Sequence, residues 1–467
     1  MVEIEIDGKK FEVEPGSTII EAADAAGIYI PRFCYHKKLS VAANCRMCLV
    51  EVEKAPKPMP ACATPVTPGM KIMTRSEKAL QAQRDVMEFL LINHPLDCPI
   101  CDQGGECELQ DQSVGYGRSE SHYTEEKRAV ASPDLGPLIE TEMTRCIQCT
   151  RCVRFGEEIS GQRELGLINR GEKEAISTYI NTVVSSEVSG NVIDICPVGA
   201  LTNKPFRYQA RAWEMKEYPT ISPHDCVGTN MYLHTRSEIE VPQCKVMRAV
   251  PKENEAINET WMSDRDRFSC DALYHADRVY KPMVKRKGKW LETTWEALLP
   301  EIADKLMQLS SADANKLGVL MSPNSSTEEY YLLQKIVRAL GANNIDHRLR
   351  TQDFSDQNFA PEFPNFGMKI AELEQAESVL LVGSNLRHEQ PLLALRLLKA
   401  CNEDAVVSAI NAVDYDFNFP VSHKMIVPGF SLVNGLAQVA SAVAEIKKKA
   451  LSADASKACA EIGRAHV

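Results

Sequence analysis

The chain opens on an alternation of apolar and polar residues. Val2, Ile4 and Ile6 alternate with polar neighbours, as do Phe11 and Val13, and Asp7-Gly8 separates the two runs. This predicts a β-hairpin closed by a tight turn. Thr18 and Glu21 then have capping-box spacing for a helix that Gly27 ends. Ser76 can cap a second helix, with Leu80, Met87, Leu90 and Leu91 on one face. Pro95 stops it and leaves His94 at its C-terminal end. Residues 113–137 are polar with scattered glycines and read as a loop or linker. From about residue 219 the pattern is mixed. Residues 295–309 and 328–340 read as helices, and the apolar run 378–382 before Gly383 reads as a buried parallel strand. The second half is therefore α/β, without internal repeats.

Composition narrows the class. A chain of 467 residues holds about three or four domains at ~100–200 residues each. At 44% hydrophobic and 25% charged it is ordinary for a soluble protein. The net charge of -11 argues against nucleic acid as a partner. No apolar run approaches the ~20 residues of a membrane helix. The acidic, strand-like start is neither a signal peptide nor an Arg-rich transit segment. The 16 cysteines therefore fit a reducing bacterial cytoplasm better than a disulfide framework.

Eleven of those cysteines and one histidine form three sets of four. Cys34, Cys45, Cys48 and Cys62 make the first. Three of them sit on one loop and the fourth on a later segment, which suits a [2Fe–2S] rhomb with two thiolates per iron, although the first gap departs from the plant-type spacing. Arg32 and Arg46 flank the set and could offset a negative cluster. His94, Cys98, Cys101 and Cys107, in HPLDCPICDQGGEC, make the second. Read alone this is also a zinc pattern; with iron it would be a [4Fe–4S] site with one imidazole ligand. Gly104-Gly105 allows the backbone close to the metal. Cys146, Cys149, Cys152 and the remote Cys196 make the third. Three ligands within seven residues are too tight for an ordinary zinc finger but suit a cubane, where each thiolate meets a different iron. Arg145, Arg151 and Arg154 surround it, either as solvated surface or as compensation for an anionic cluster. Cys226, Cys244, Cys270, Cys401 and Cys459 remain outside the sets.

Across residues 1–205 these motifs resemble the family of large iron–sulfur subunits of bacterial respiratory complex I, the NADH:quinone oxidoreductases. DRVYKPMV, TWEALL and VGSNLRHEQPLLALRLLKA resemble the molybdopterin-oxidoreductase scaffold of that family's second half. The resemblance implies α+β iron–sulfur modules followed by an α/β scaffold: a β-grasp [2Fe–2S] ferredoxin over residues 1–78, a His-ligated [4Fe–4S] module over 79–118, and an all-cysteine ferredoxin-like module over 139–205. A degenerate fourth-cluster domain over 219–275 and an incomplete molybdopterin-oxidoreductase-like domain over 276–467 complete it. Pro223, Asn230 and Ser263 stand where some family members have cluster cysteines, and only Cys226 remains. No fourth cluster is expected, Cys226 is expected to be inert and buried, and no molybdopterin is expected.

The implied role is an electron-transfer subunit of an oxidoreductase and translocase. It takes electrons from a flavin- and NADH-binding partner and passes them singly toward a downstream iron–sulfur subunit and quinone. Contact with the membrane would be indirect, on the cytoplasmic face of the bacterial inner membrane. The chain shows no Gly-rich dinucleotide fingerprint after a strand, so no NADH site, catalytic residue or organic-cofactor site of its own is expected. The last seven residues, 461–467, resemble a translated sequencing adapter, so a C-terminal truncation is expected. Two other classes compete. One is the electron relay of an NAD-linked formate dehydrogenase or hydrogenase; the other is a zinc-stabilised assembly scaffold without redox chemistry.

Overall fold

Strands β1 (Val2–Ile6) and β2 (Lys9–Val13) pair antiparallel, and Asp7 and Gly8 between them both take positive φ (48° and 81°). That is the turn geometry which matches the twist of a hairpin. The computed structural model describes residues 1–179, 182–237, 244–348, 358, 365–451 and 456. The capping box at Thr18 and Glu21 starts α1 (Ile19–Ala25), and Gly27 follows it at φ 68°. Strands β3 (Leu49–Val52), β4 (Met59–Pro60) and β5 (Lys71–Met73) complete a sheet of order β2-β1-β5-β3-β4, with β1 and β5 parallel. Ile4, Ile6, Ile19, Ile20, Val50 and Ile72 fill the core beneath it, and Cys48 and Cys62 belong to that same core.

Helix α2 (Glu77–Leu91) is capped by Ser76. Its buried face is Ala79, Gln83 and Met87, not the leucines. Gln83 is tolerated there because its amide Nε2 donates to Leu49 O (3.0 Å), satisfying a carbonyl of β3. The helix ends at Leu91, so His94 lies just past it, with its N–H on Leu91 O (3.1 Å). A short helix that the sequence pattern missed, α3 (Glu108–Tyr116), runs into the stretch read as a linker. It buries only Leu109 and Gln112, too few apolar positions to show a helical period.

The chain divides into two units, residues 1–221, 229–268 and 368–467, and residues 222–228 and 269–367. The second unit holds an antiparallel pair (Met283–Arg286 with Lys289–Glu292), a parallel pair (Gly318–Leu320 with Asn344–Asp346) and the helices Trp295–Asp313 and Thr327–Ala339. In the first unit, strands Ser378–Val382, Val406–Asn411 and His423–Ile426 form a parallel sheet under helix Pro391–Asn402. The strand 378–382 is less buried than its sequence suggests. It lies at the sheet edge and buries only Leu381 fully. By length and composition one described helix, Gly429–Lys447, could cross a membrane, contrary to the sequence reading, with 6% of that window buried. Its Gly435 is buried, and a Cβ there would lie 3.5 Å from Ile410 Cγ2 of the sheet.

No described cysteine is in a disulfide. Cys226 is exposed, not buried as expected; Cys244 is exposed too, and Cys270 and Cys401 are half-buried. Cys459 and the unusual residues 461–467 lie outside the described residues.

The parallel-sheet region is tied to the N-terminal modules by charge. Glu259 is only 3% exposed. It meets Lys38 (2.9 Å) from the N-terminal module, and Lys399 (2.5 Å) and Arg396 (3.8 Å) from the helix Pro391–Asn402. Burial works to raise its pKa, but the ammonium groups of Lys399 and Lys38 outweigh that and hold the carboxyl below its ordinary value. A lowered folded-state pKa means that this stabilisation is present above the ordinary carboxylate range and is lost as pH falls through the folded-state value. Glu259→Ala should therefore cost about 1–3 kcal/mol, the loss of one charged partner, since Lys38 keeps Glu255 and Lys399 and Arg396 keep Glu374. Urea unfolding at neutral pH should show the difference, and the gap to the wild type should narrow in acid.

Candidate metal centres

The structure brings each of the three sets together, all in the first unit. In the first, Cys34, Cys45, Cys48 and Cys62 are all buried. The thiols of Cys45 and Cys62 both hydrogen-bond to Cys34, which holds Cys34 low and pushes its two neighbours up. Cys48 joins them through Cys62. The loop that carries Cys45 and Cys48 turns through Ala43 and Arg46, both at positive φ (50° and 61°). Of the flanking arginines, Arg46 is exposed and Arg32 pairs with Asp24 (2.5 Å).

His94, Cys98, Cys101 and Cys107 line one cavity of about 430 Å³, together with Met87, Leu91, Gly104, Arg145 and Gly199. Cys98 is the exposed member; Cys101 and Cys107 are buried. Burial lowers the pKa of His94 to about 4, so its imidazole is neutral, the form that binds metal. His94 Nδ1 is buried without a hydrogen-bond partner. An orphaned buried nitrogen is costly unless something fills its lone pair or takes its proton. Backbone groups fix the site. Lys127 Nζ donates to Leu91 O, Ile92 O and His94 O (3.2, 3.0 and 2.8 Å), and Arg211 holds Pro99 O and Cys101 O. Two glycines are sterically required. A Cβ on Gly199 would lie 2.1 Å from Cys101 Sγ, and one on Gly104 2.9 Å from Cys98 O.

Cys146, Cys149, Cys152 and Cys196 line a second, apolar cavity with Ile147, Ile176, Val198 and Leu201. Gln148 and Thr150 between the ligands take positive φ (53° and 60°). Such strain in non-glycine residues persists where the surroundings over-determine the loop. Burial pushes the Cys146 and Cys149 thiols up to about 12 and those of Cys196 and, in the second set, Cys107 up to about 11. As bare thiols these stay protonated, and a bound cation would have to displace the protons. Among the described residues no group of three or more His, Cys, Asp or Glu side chains could hold a single metal ion. Four ligands on one zinc must each come within about 2.0–2.3 Å of one point. By donor chemistry, eleven thiols and one neutral imidazole fit iron–sulfur clusters.

The arginines of the third motif are not solvated surface. Arg145, Arg151 and Arg154 are 4%, 4% and 8% exposed. Arg145 Nε donates to Asp97 Oδ2 (3.0 Å), beside Cys98. Arg151 donates to Tyr35 O (2.9 Å), Ile195 O (3.2 Å) and Glu108 Oε1 (2.9 Å), which adjoin Cys34, Cys196 and Cys107. Arg154 donates to Cys34 O (2.6 Å) and Cys149 O (3.1 Å). The sequence flagged these side chains without any sign of their partners. Gly199, Lys127 and Arg211 carried no such flag.

At the four positions of a possible further cluster, Ser263 is buried and its Oγ accepts from Asp266 N (3.1 Å), a helix-capping contact. Asn230 opens the strand Asn230–Arg236. Pro223 and Cys226 fall in the other unit.

Comparison with known proteins gives these sites their class. Residues 1–77 match a 2Fe-2S iron-sulfur cluster binding domain, 83–122 the NADH-ubiquinone oxidoreductase-G iron-sulfur binding region, and 136–202 the ferredoxin-like domain of NADH-quinone oxidoreductase subunit 3. Residues 215–271 match the NADH-ubiquinone oxidoreductase NDSU1/NuoG-like 4Fe-4S domain, and 278–456 match molybdopterin oxidoreductase. The protein is thus an iron–sulfur protein of several domains, one of the [2Fe–2S] and others of the [4Fe–4S] type, with a molybdopterin-oxidoreductase region behind them. The chain belongs to the family of large iron–sulfur subunits of NADH-quinone oxidoreductase, the NuoG-like proteins. It is 44% identical over 402 residues to the member of that family from Rickettsia conorii, covering 85% of this chain and 57% of the relative. It is also 44% identical over 426 residues to the mitochondrial NADH-ubiquinone oxidoreductase 78 kDa subunit of Neurospora crassa (90% and 56%). The same identity extends over 438 residues to the mitochondrial NADH dehydrogenase [ubiquinone] iron-sulfur protein 1 of Solanum tuberosum (91% and 56%). The chain therefore spans little more than half the length of the curated relatives it matches. A chain of an NAD+-reducing [NiFe]-hydrogenase in the H2-reduced state aligns with a TM-score of 0.42 at 28% identity, covering 45% of this chain and 90% of that one.

If His94 is a ligand, His94→Cys should keep the second site loaded and lower its reduction potential, because a thiolate adds negative charge where imidazole was neutral. EPR-monitored redox titration would measure this. An unchanged midpoint would remove His94 from the ligand set.

Proposed function

We propose that this chain is an electron-transfer subunit of NADH:quinone oxidoreductase that holds one [2Fe–2S] and two [4Fe–4S] clusters and no molybdopterin. The ligands are Cys34, Cys45, Cys48 and Cys62 for the first, His94, Cys98, Cys101 and Cys107 for the second, and Cys146, Cys149, Cys152 and Cys196 for the third. When bound, such clusters supply one-electron redox chemistry. The protein's part is to hold the ligands in a dry, rigid setting, to keep His94 neutral, and to set the charge around each site. The observation that carries the reading is the presence of three complete donor sets in one unit, joined through Arg145, Arg151 and Arg154. Electrons would arrive from a flavin- and NADH-binding partner subunit and leave toward a downstream iron–sulfur subunit and quinone. The chain would sit in the peripheral arm, on the cytoplasmic side of the bacterial inner membrane, touching the membrane only through its complex.

The segment 215–271 keeps the fold of a fourth-cluster domain without its ligands, since one thiol at Cys226 cannot hold a cubane. The α/β region behind it would then be a scaffold. Iron and acid-labile sulfide on anaerobically purified chain should come to about ten irons, two plus four plus four. Stoichiometric zinc with little iron would sink the proposal in favour of an assembly scaffold. The cluster-loaded chain should also fail to reduce ferricyanide with NADH, because no dinucleotide site is evident in its sequence. NADH-dependent turnover by the isolated chain would overturn that part.

A further inference from the structure

Two of the three buried arginines at the third site have a carboxylate of their own. Arg145 pairs with Asp97 (3.0 Å) and Arg151 with Glu108 (2.9 Å). Arg154 has none among the described residues. Its hydrogen bonds go to Thr150 Oγ1, Ser40 O, Cys34 O and Cys149 O, all uncharged. The nearby Glu158 carboxylate is engaged by Ser40, which donates to it through both its N–H and its hydroxyl. A guanidinium that is 8% exposed and faces only carbonyls and hydroxyls is an uncompensated buried charge. Such a charge is costly unless an anion lies nearby. Arginine cannot escape the cost by losing its proton.

The position of the guanidinium says where the anion must be. One nitrogen, Nη2, donates both to Cys34 O (2.6 Å) and to Cys149 O (3.1 Å). Cys34 belongs to the first donor set and Cys149 to the third. A cluster held by four thiolates is net negative in both of its oxidation states, and more so when reduced. We propose that Arg154 is the shared counter-charge of the first and third sites, favouring the reduced state of both. This rests on the reading that those sets hold iron–sulfur clusters. It makes Arg154 a positioning and charge-setting residue, not a ligand, and it separates Arg154 from its two neighbours, whose charges Asp97 and Glu108 offset.

The test is EPR-monitored redox titration of the anaerobically purified chain, with iron and sulfide measured on every sample. In Arg154→Gln the cluster content should stay at the wild-type level. The [2Fe–2S] midpoint and the all-cysteine [4Fe–4S] midpoint should both fall, while that of the His94 site should not. Arg154→Lys keeps the charge and should restore both midpoints. In Arg145→Gln the [2Fe–2S] midpoint should stay in place. A loaded Arg154→Gln protein with only one of the two midpoints shifted, or neither, overturns the proposal. If Arg154→Gln does not load, Arg154→Lys decides: wild-type midpoints support the proposal, and lowered midpoints or a second failure to load overturn it in favour of a purely structural fork. A wild-type chain without iron would instead refute the cluster reading itself, so the two failures are distinguishable.

Discussion

Three guanidinium groups, buried where water cannot solvate them, hold the metal-site half of this protein together. Each ends on groups beside ligands of another set, so none can move without moving a donor. Arg151 alone touches residues adjoining Cys34, Cys107 and Cys196. Arginine suits the task because its planar fork offers five donors in fixed directions and keeps its charge at any relevant pH. Removing one such partner from a buried network costs about 3–5 kcal/mol, a large share of the stability of any domain.

The module over residues 79–118 depends on these links because it lacks a core of its own. The ferredoxin at the N-terminus has isoleucines from β1, α1 and β5 packed under its sheet, and the third module buries Ile139, Phe155, Ile176 and Leu201. Between residues 79 and 118 only Met87 and Leu109 are large, fully buried apolar side chains. A segment that small and that poor in buried area needs a staple. Here the staples are polar: Lys127 across three carbonyls, Arg211 across two, and the Arg248–Glu106 fork (2.7 and 2.6 Å). Ligation would add to them, since a site that forms only in the folded chain returns its binding energy as folding energy.

This division explains what the sequence made legible. The hairpin turn at Asp7-Gly8, the capping box at Thr18 and Glu21, the Ser76 cap and the spacing of the twelve donors are local patterns, and local patterns survive in one dimension. The arginine partners do not. Arg154 and Cys34 are 120 positions apart, and nothing near either residue announces the other. Gly199 reads as an ordinary glycine until Cys101 Sγ is seen against it. Gln83 reads as a solvent-facing residue until Leu49 O is seen to need its amide. Cys226 departs from the rule that free cysteine is usually buried: it is exposed, although its neighbour Val227 is buried.

The second half follows a different logic. Where the parallel sheet Ser378–Ile426 meets the N-terminal modules, the contacts are charged. Lys399, Arg396 and Glu374 come from the sheet side and Lys38 from the first ferredoxin, with Glu259 between them. Glu259 sits at positive φ (51°) and is nearly inaccessible, so the fold accepts backbone strain to put a carboxylate there. Arg267 and Asp264 act alike nearby. Arg267 forks onto Asp194, and Asp264 accepts from Ser189 Oγ and Gly190 N (2.6 Å each). These anchors fasten the segment 258–268 onto the residues leading to Cys196. The third donor set leans on this segment: Met262 and Asp264, either side of Ser263, hold the turn and helix that carry Cys196.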